Sequence, residues 1–229
     1  MNAPADADTE TLRLSTDTKA TVNIGKYSGH GRSRGLEPVK ARDHDMRMKE
    51  KLIPGGIPEP VSGKTFLFFT GSYKTGDFTA DGFFLWWNER KQELSDIKRL
   101  VINMDNGPEC SGRRTQFLLR MTESADMTGL IIRLVCYPPY HSRYNAIERY
   151  WAGLEKSWNG HLPDTVKTVL NRASNFVWKG LNATVSLLKT SCEKGVKICG
   201  KEKIGMEERL QRSEQLPLYD ITINPKTVY

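Results

Sequence analysis

The chain has 229 residues, a formal net charge of +7 and 38% hydrophobic residues, with five tryptophans and eight phenylalanines. That is apolar volume for one sizeable domain, which excludes a disordered chain, and the excess of cations favours a polyanionic partner without specifying one. No apolar run reaches membrane-spanning length, the polar start M-N-A-P-A-D-A-D-T-E is not a signal peptide, and the cysteines (110, 136, 192, 199) and histidines (30, 44, 141, 161) show no C-x-x-C spacing and no zinc pattern, so a cytoplasmic protein is expected.

Residues 1–10 read as a short disordered lead. Residues 11–18 alternate, with Leu12, Leu14 and Thr16 facing one way and Arg13, Ser15 and Asp17 the other. Residues 21–27 alternate again through Val22 and Ile24, so the two segments predict a β-hairpin across Lys19-Ala20. Residues 28–63 are rich in Gly, Pro, Arg and Lys, hold no lasting period and predict a long basic loop, whose charges suit either phosphates or solvent. Asp43, His44 and Asp45 stand side by side in it, but three adjacent side chains seldom converge on a metal without further ligands. Residues 64–72 are a strongly apolar third strand. Thr79 and Asp81 are positioned to cap a helix carrying Phe83, Phe84, Trp87 and Leu94.

Residues 100–104 predict a short buried strand that ends at Asp105-Asn106-Gly107-Pro108, a turn signature. Residues 113–128 predict a helix closed by Gly129. Residues 130–137 are another buried strand, with Cys136 as a buried thiol, stopped by Pro138 and Pro139. A helix then starts near Asn145. Ile147, Trp151, Leu154 and Trp158 form one apolar stripe on it, which assigns both tryptophans to the core rather than to base stacking. Glu148 lies at the edge of that stripe and can point into a cleft. Asn145 with Glu148 also matches a capping box, with asparagine for the usual serine or threonine, and on this stretch alone capping is the commoner outcome. Pro163 or Asp164 opens a further helix through Val166, Val169, Leu170, Ala173 and Val177. Residues 181–229 read as a small basic C-terminal extension, with a hairpin (184–188 and 195–198) and a short helix (206–212).

The order of elements predicts an α/β fold: a mixed five-stranded sheet, order 3-2-1-4-5, flanked by helices, with two antiparallel connections followed by helical crossovers. Asp17 then lies on the first strand, Asp105 at the carboxyl end of the fourth, and Glu148 just after the fifth. Strands one and four are neighbours at the switch point where ligands collect in open α/β sheets. Three carboxylates converging there repel one another unless cations neutralise them. Oxygen-only ligands suit Mg²⁺ or Mn²⁺, and two such ions about 4 Å apart are a device for phosphodiester displacement. Each acid has a plainer role as well: Asp17 as an exposed strand residue, Asp105 in a D-N-G turn, Glu148 as the cap.

The segment P-P-Y-H-S-R-Y-N-A-I-E-R-Y-W is similar to the P-P-x-S-x-x-x-N-x-I-E-x-x-W signature of mariner-like and related insertion-sequence transposases, and 42 residues, numbers 106–147, separate the last two acids. With S-T-D-T-K near the start, E-P-V-K-A-R-D-H-D in the long loop, G-V-K-I near the tail and Y-D-I-T-I-N-P at the end, residues 12–229 resemble the Rhodopirellula-type bacterial family of D-D-E transposases. The resemblance implies an RNase H-like DDE catalytic domain over residues 11–180, with residues 28–63 as a loop insertion. It implies that Asp17, Asp105 and Glu148 hold two Mg²⁺ ions, with Mn²⁺ able to substitute, supported by Asn145 and Asn106. It also implies cleavage of a DNA strand at an element end, transfer of the freed 3′-OH to target DNA, a homo-oligomer in the active complex and nucleoid association. Arg113, Arg114, Arg143 and Arg149 flank the acids and are candidates for phosphate contact by position. Family members carry a helix-turn-helix before the first acid, where 16 residues stand here, so a truncated copy, a separate reading frame or an isolated domain is expected. The family's glycine-rich run after the second acid is D-N-G-P-E-C-S-G in this chain. Two alternatives stand beside the transposase: a remnant that binds DNA or dimerises, and an RNase H-like nuclease.

Overall fold

The computed structural model describes residues 2–26, 41, 50–138, 141 and 144–226. Asp43, His44, Asp45 and Arg143 lie outside the described residues. In chain order the elements are α1 (Asn2–Ala7), β1 (Thr11–Thr18), β2 (Val22–Asn23), β3 (Lys51–Pro58), β4 (Thr65–Thr70), α2 (Gly76–Arg90), β5 (Arg99–Asp105), α3 (Thr115–Thr128), β6 (Ile131–Tyr137) and α4 (Ala146–Trp158). There follow α5 (Val166–Asn175), β7 (Val177–Trp178), β8 (Leu181–Asn182), β9 (Thr184–Leu187), α6 (Gly200–Glu207), β10 (Leu210–Arg212) and β11 (Asp220–Ile223).

The main sheet runs β10-β11-β6-β5-β1-β3-β4-β9, with β2 attached to β3. Strands β1, β5 and β6 are parallel, and β3 is antiparallel to both β1 and β4. The central five, β4-β3-β1-β5-β6, give the RNase H-like mixed sheet flanked by helices. One face is covered by α2, α3 and α6 through Phe78, Phe83, Trp86, Phe117, Met121 and Met206. The other is covered by α4 and α5 through Ile147, Tyr150, Trp151, Leu154, Val169 and Ala173. Among the described residues no helix is long and apolar enough to cross a membrane.

The second strand is not the one the sequence predicts. The expected hairpin partner, residues 21–27, shrinks to the two residues of β2, which pair with β3 instead of β1. The partner of β1 is Lys51–Pro58, K-L-I-P-G-G-I-P, from the stretch expected to be loop. Its glycines look like loop signals, yet they serve close packing. A Cβ at Gly55 would overlap the Phe68 ring, and one at Gly56 would stand 2.9 Å from both Ile147 Cδ1 and Trp151 Cη2. Pro54 lacks a donor but its carbonyl still accepts from Lys19 N at 2.9 Å.

Other boundaries shift for local reasons. The cap of α2 is Thr75, whose hydroxyl accepts from Phe78 N at 3.3 Å, rather than Thr79 or Asp81. Thr79 is instead buried, 3.1 Å from Cys110 Sγ. Gly129 closes α3 in the left-handed conformation, φ 71°, as expected. The expected disordered lead holds α1, and the Asp6 carboxylate accepts from Arg13 Nε at 2.6 Å and Nη2 at 2.8 Å. The predicted tail hairpin does not form: β9 pairs in parallel with β4, while β7 and β8 make a hairpin around Lys179 (φ 51°) and Gly180 (φ 82°). The short helix expected at 206–212 is α6, six residues earlier at its start, followed by β10. Strand β11 joins the edge beside β6, held there by Arg133 on Asp220 at 2.8 and 2.6 Å.

Phe68, fully buried, is wedged between β3 and α2, because a Cβ at Gly82 would overlap the same ring as one at Gly55. Alanine is about 1 kcal/mol better than glycine inside a helix, so any loss on Gly82→Ala isolates the clash. Gly82→Ala should cost about 1–3 kcal/mol, and Phe68→Leu in that background should recover part of it. An unchanged melting temperature for Gly82→Ala would show that the ring moves freely.

Candidate active site

Parallel register brings the first two acids together. Thr16 of β1 pairs with Met104 of β5, so Asp17 and Asp105 follow at neighbouring carboxyl ends. Asp17 has Gly56 of β3 on its other side, and Asp105 has Tyr137 of β6. Strand alternation puts Ser15 with Asp17, and Asn103 with Asp105, on the face that α4 covers.

Asn145 then fixes the helix. It is fully buried, at 0% exposure, and its side chain does not cap α4. Its Oδ1 accepts from Ser15 Oγ, while Nδ2 donates to Thr16 O and to Asp105 Oδ1, both at 3.3 Å. Ile147 N donates to Ser15 Oγ at 3.1 Å. The capping-box reading of Asn145 with Glu148 therefore fails: the amide is used on β1 and β5. Glu148, in the first turn of α4, is half-buried at the same end of the sheet.

The three carboxylates feel one another. Burial first, then the charges of Asp105 and Glu148, push Asp17 up to about 6, against the Thr18 backbone bond and Lys74, which pull it down. Burial raises Asp105 against the Asn145 hydrogen bond and Lys74. Burial and Asp105 raise Glu148 against Lys19, and Glu155 adds to the rise. None of the three forms an ion pair among the described residues. Lys19 is engaged with Glu155 at 2.7 Å, and Lys74 lies 3.9 Å from Glu109. Still, among the described residues no group of three or more His, Cys, Asp or Glu is gathered closely enough to hold a metal ion as it stands.

Of the supporting residues, Asn106 is half-buried beside Asp105 with its Oδ1 lacking a protein partner. Arg113 and Arg114 are exposed between β5 and α3, and Arg149 is exposed on α4. Trp151 is in the core and Trp158 packs against it, as expected. Three residues escape the sequence reading. Ser15 carried a usable signal, since it sits two before Asp17 on one strand face. Lys74 comes from the connection after β4 and carried none. Asn103, 1% exposed beside Ser15, has both amide atoms without a protein partner.

Sheet order and the helices on its two faces define an RNase H-like fold. The chain belongs to the Rhodopirellula transposase DDE domain family, whose model matches residues 2–225. Among solved structures it is similar to the Mos1 mariner paired end complex with Mn, at 10% identity and TM-score 0.46, over 69% of this chain and 45% of that one. It is also similar to a pre-cleavage Mos1 transpososome, at 7% identity and TM-score 0.41, over 70% and 46% respectively. The chain thus spans just under half the length of those relatives. Among curated proteins the comparison finds no match.

The raised acid gives a pH prediction for the metal-free protein. Asp17, at about 6 against an ordinary 3.8, binds its proton more tightly folded than unfolded. Its contribution to stability is full below about pH 4 and is lost as pH rises through 6, a loss of about 3 kcal/mol by pH 7. In EDTA, Asp17→Asn should raise the melting temperature at pH 7 by about 5–10 °C and leave it unchanged near pH 4. Equal shifts at both pH values would refute the strained carboxylate.

Proposed function

We propose that the chain is the catalytic domain of a DNA transposase, which cleaves a DNA strand at an element end and joins the freed 3′-OH to a target phosphodiester. The observation that carries this reading is the set Asp17, Asp105 and Glu148, mutually repelling and without ion-pair partners among the described residues, in a chain of the DDE domain family. Residues 11–180 would be the catalytic unit, acting with a second copy of the chain.

The three carboxylates would hold two Mg²⁺ ions, with Mn²⁺ able to substitute. The donors fit: all are hard oxygens, and among the described residues no cation forms an ion pair with any of them, so their repulsion is only partly offset. When bound, the ions would activate the attacking oxygen and steady the leaving one. Asn145 donates to one oxygen of Asp105 and leaves the other for a cation. Through Ser15 the same amide keeps Glu148 at this end of the sheet. Asn106 would add a neutral oxygen. Lys19 and Lys74 offset part of the negative charge, and the exposed Arg113, Arg114 and Arg149 would contact phosphates.

The test is strand nicking of element-end DNA with Mg²⁺ or Mn²⁺. The full chain should nick, and Asp105→Ala should reduce nicking to background while leaving DNA binding in EDTA unchanged. Nicking that survives Asp105→Ala overturns the assignment. DNA binding without metal-dependent turnover in the wild type would make the chain a binding or dimerising module. Preference for RNA–DNA hybrids or four-way junctions would make it an RNase H-like nuclease.

A further inference from the structure

The end of the sheet that carries the acids also carries a cluster of cations around one exposed ring. Strand β3 begins there with Lys51, β4 ends there shortly before Tyr73, and β9, parallel to β4, ends there before the segment with Lys194. Tyr73 is 44% exposed. Lys194 Nζ lies 4.7 Å from its ring centroid and Lys51 Nζ 5.7 Å. Neither ammonium group has a carboxylate partner among the described residues. The next residue, Lys74, is the cation that both Asp17 and Asp105 feel.

Each contact with an exposed ring is worth about 0.5–1 kcal/mol. Two ammonium groups at most about 10 Å apart repel by about 0.4 kcal/mol in water at that limit, and by about 0.8 kcal/mol at half the distance. The ring therefore wins and gathers two charges that would otherwise spread apart. A pair of cations no more than about 10 Å apart spans a few phosphates of one strand, which follow at about 3.4 Å along the helix axis.

Resting on the reading of DNA as the partner, we propose that Lys51, Tyr73 and Lys194 form a phosphate clamp for the DNA strand leading into the acid cleft. The phenol ring preorganises the two ammonium groups, and the phosphodiester backbone neutralises them. Lys74 continues the cationic path towards Asp17 and Asp105.

The test is binding of a fluorescein-labelled mixed-sequence duplex with a single-stranded 3′ overhang to the full chain, in EDTA, across a NaCl series. Lys51→Gln with Lys194→Gln should weaken binding and lower the slope of log affinity against log salt by about 1.4–1.8, for two lost phosphate contacts. Tyr73→Phe should match the wild type, and Tyr73→Leu, which keeps both lysines, should weaken binding. An unchanged slope in the double variant, or full binding by Tyr73→Leu, overturns the clamp. Binding is read without turnover, so the two readings fail separately. A clamp that binds in a chain that never nicks leaves the clamp standing, whereas nicking with binding insensitive to these variants removes the clamp alone.

Discussion

One buried amide holds the site together. Asn145 sits between β1, β5 and α4, and its three hydrogen bonds go to Ser15, the Thr16 carbonyl and Asp105. Leaving a buried polar group unpaired costs about 1–3 kcal/mol, so α4 can dock in only one register. That docking brings Ile147 and Trp151 so close to β3 that Gly56 has no room for a Cβ. The glycine pair of β3, the serine before Asp17 and the asparagine before Glu148 answer one requirement: a helix start pressed against the carboxyl ends of two parallel strands.

The chain neutralises acids elsewhere, which makes the site's charge informative. Glu59, 2% exposed, accepts from Arg90 Nε at 2.8 Å, Arg90 Nη2 at 3.2 Å and Trp86 Nε1 at 3.4 Å. Asp220 is gripped by Arg133, and Asp126 by Arg209 and the Lys226 backbone, and Asp126 is held below its ordinary value. Among the described residues Asp17, Asp105 and Glu148 receive no such arginine, and all three are pushed up. Packing alone does not require that difference. A fold that satisfies Glu59 completely, yet leaves three acids to repel one another at a strand switch point, stores instability where a ligand of opposite charge can release it.

What the sequence discloses follows from how local each signal is. Strands β1, β5 and β6 and helices α3 and α4 were legible because their periods are long and their stops are chemical: Gly129 for α3, the prolines after β6. Asp17 and Asp105 were legible as strand-end acids for the same reason. Strand β3 was hidden, since P-G-G-I-P is loop chemistry unless one knows that Phe68 and Trp151 press on it from opposite faces. The sequence gives β9 the wrong partner, reads β10 as helix and does not disclose β11, because segments of three or four residues choose partners by what the sheet edge offers, and local turn signals cannot report an edge. The capping-box reading of Glu148 failed through the same blindness: Asn145 prefers partners at positions 15, 16 and 105 to its own helix.

The sheet's direction explains why the remaining chemistry collects where it does. Strands β1, β4, β5, β6 and β9 all end at one rim, and β3 starts there. Each connection leaving that rim brings side chains to the same neighbourhood whatever their distance in sequence, which is how Lys51, Tyr73 and Lys194 meet. Three like charges at the centre of a rim would repel a polyanion. Screening confines that repulsion to about 8 Å at physiological salt, so only cations within that range can offset it. Among the described residues Lys19 and Lys74 are the ones that lower the acids, and the lysine-flanked ring, Tyr73, is the residue before Lys74. With β9 on one edge and β10 and β11 on the other, Thr184–Leu187, Leu210–Arg212 and Asp220–Ile223 belong to the same sheet as the acids, so the C-terminal part of the chain is built into the sheet that positions the cleft.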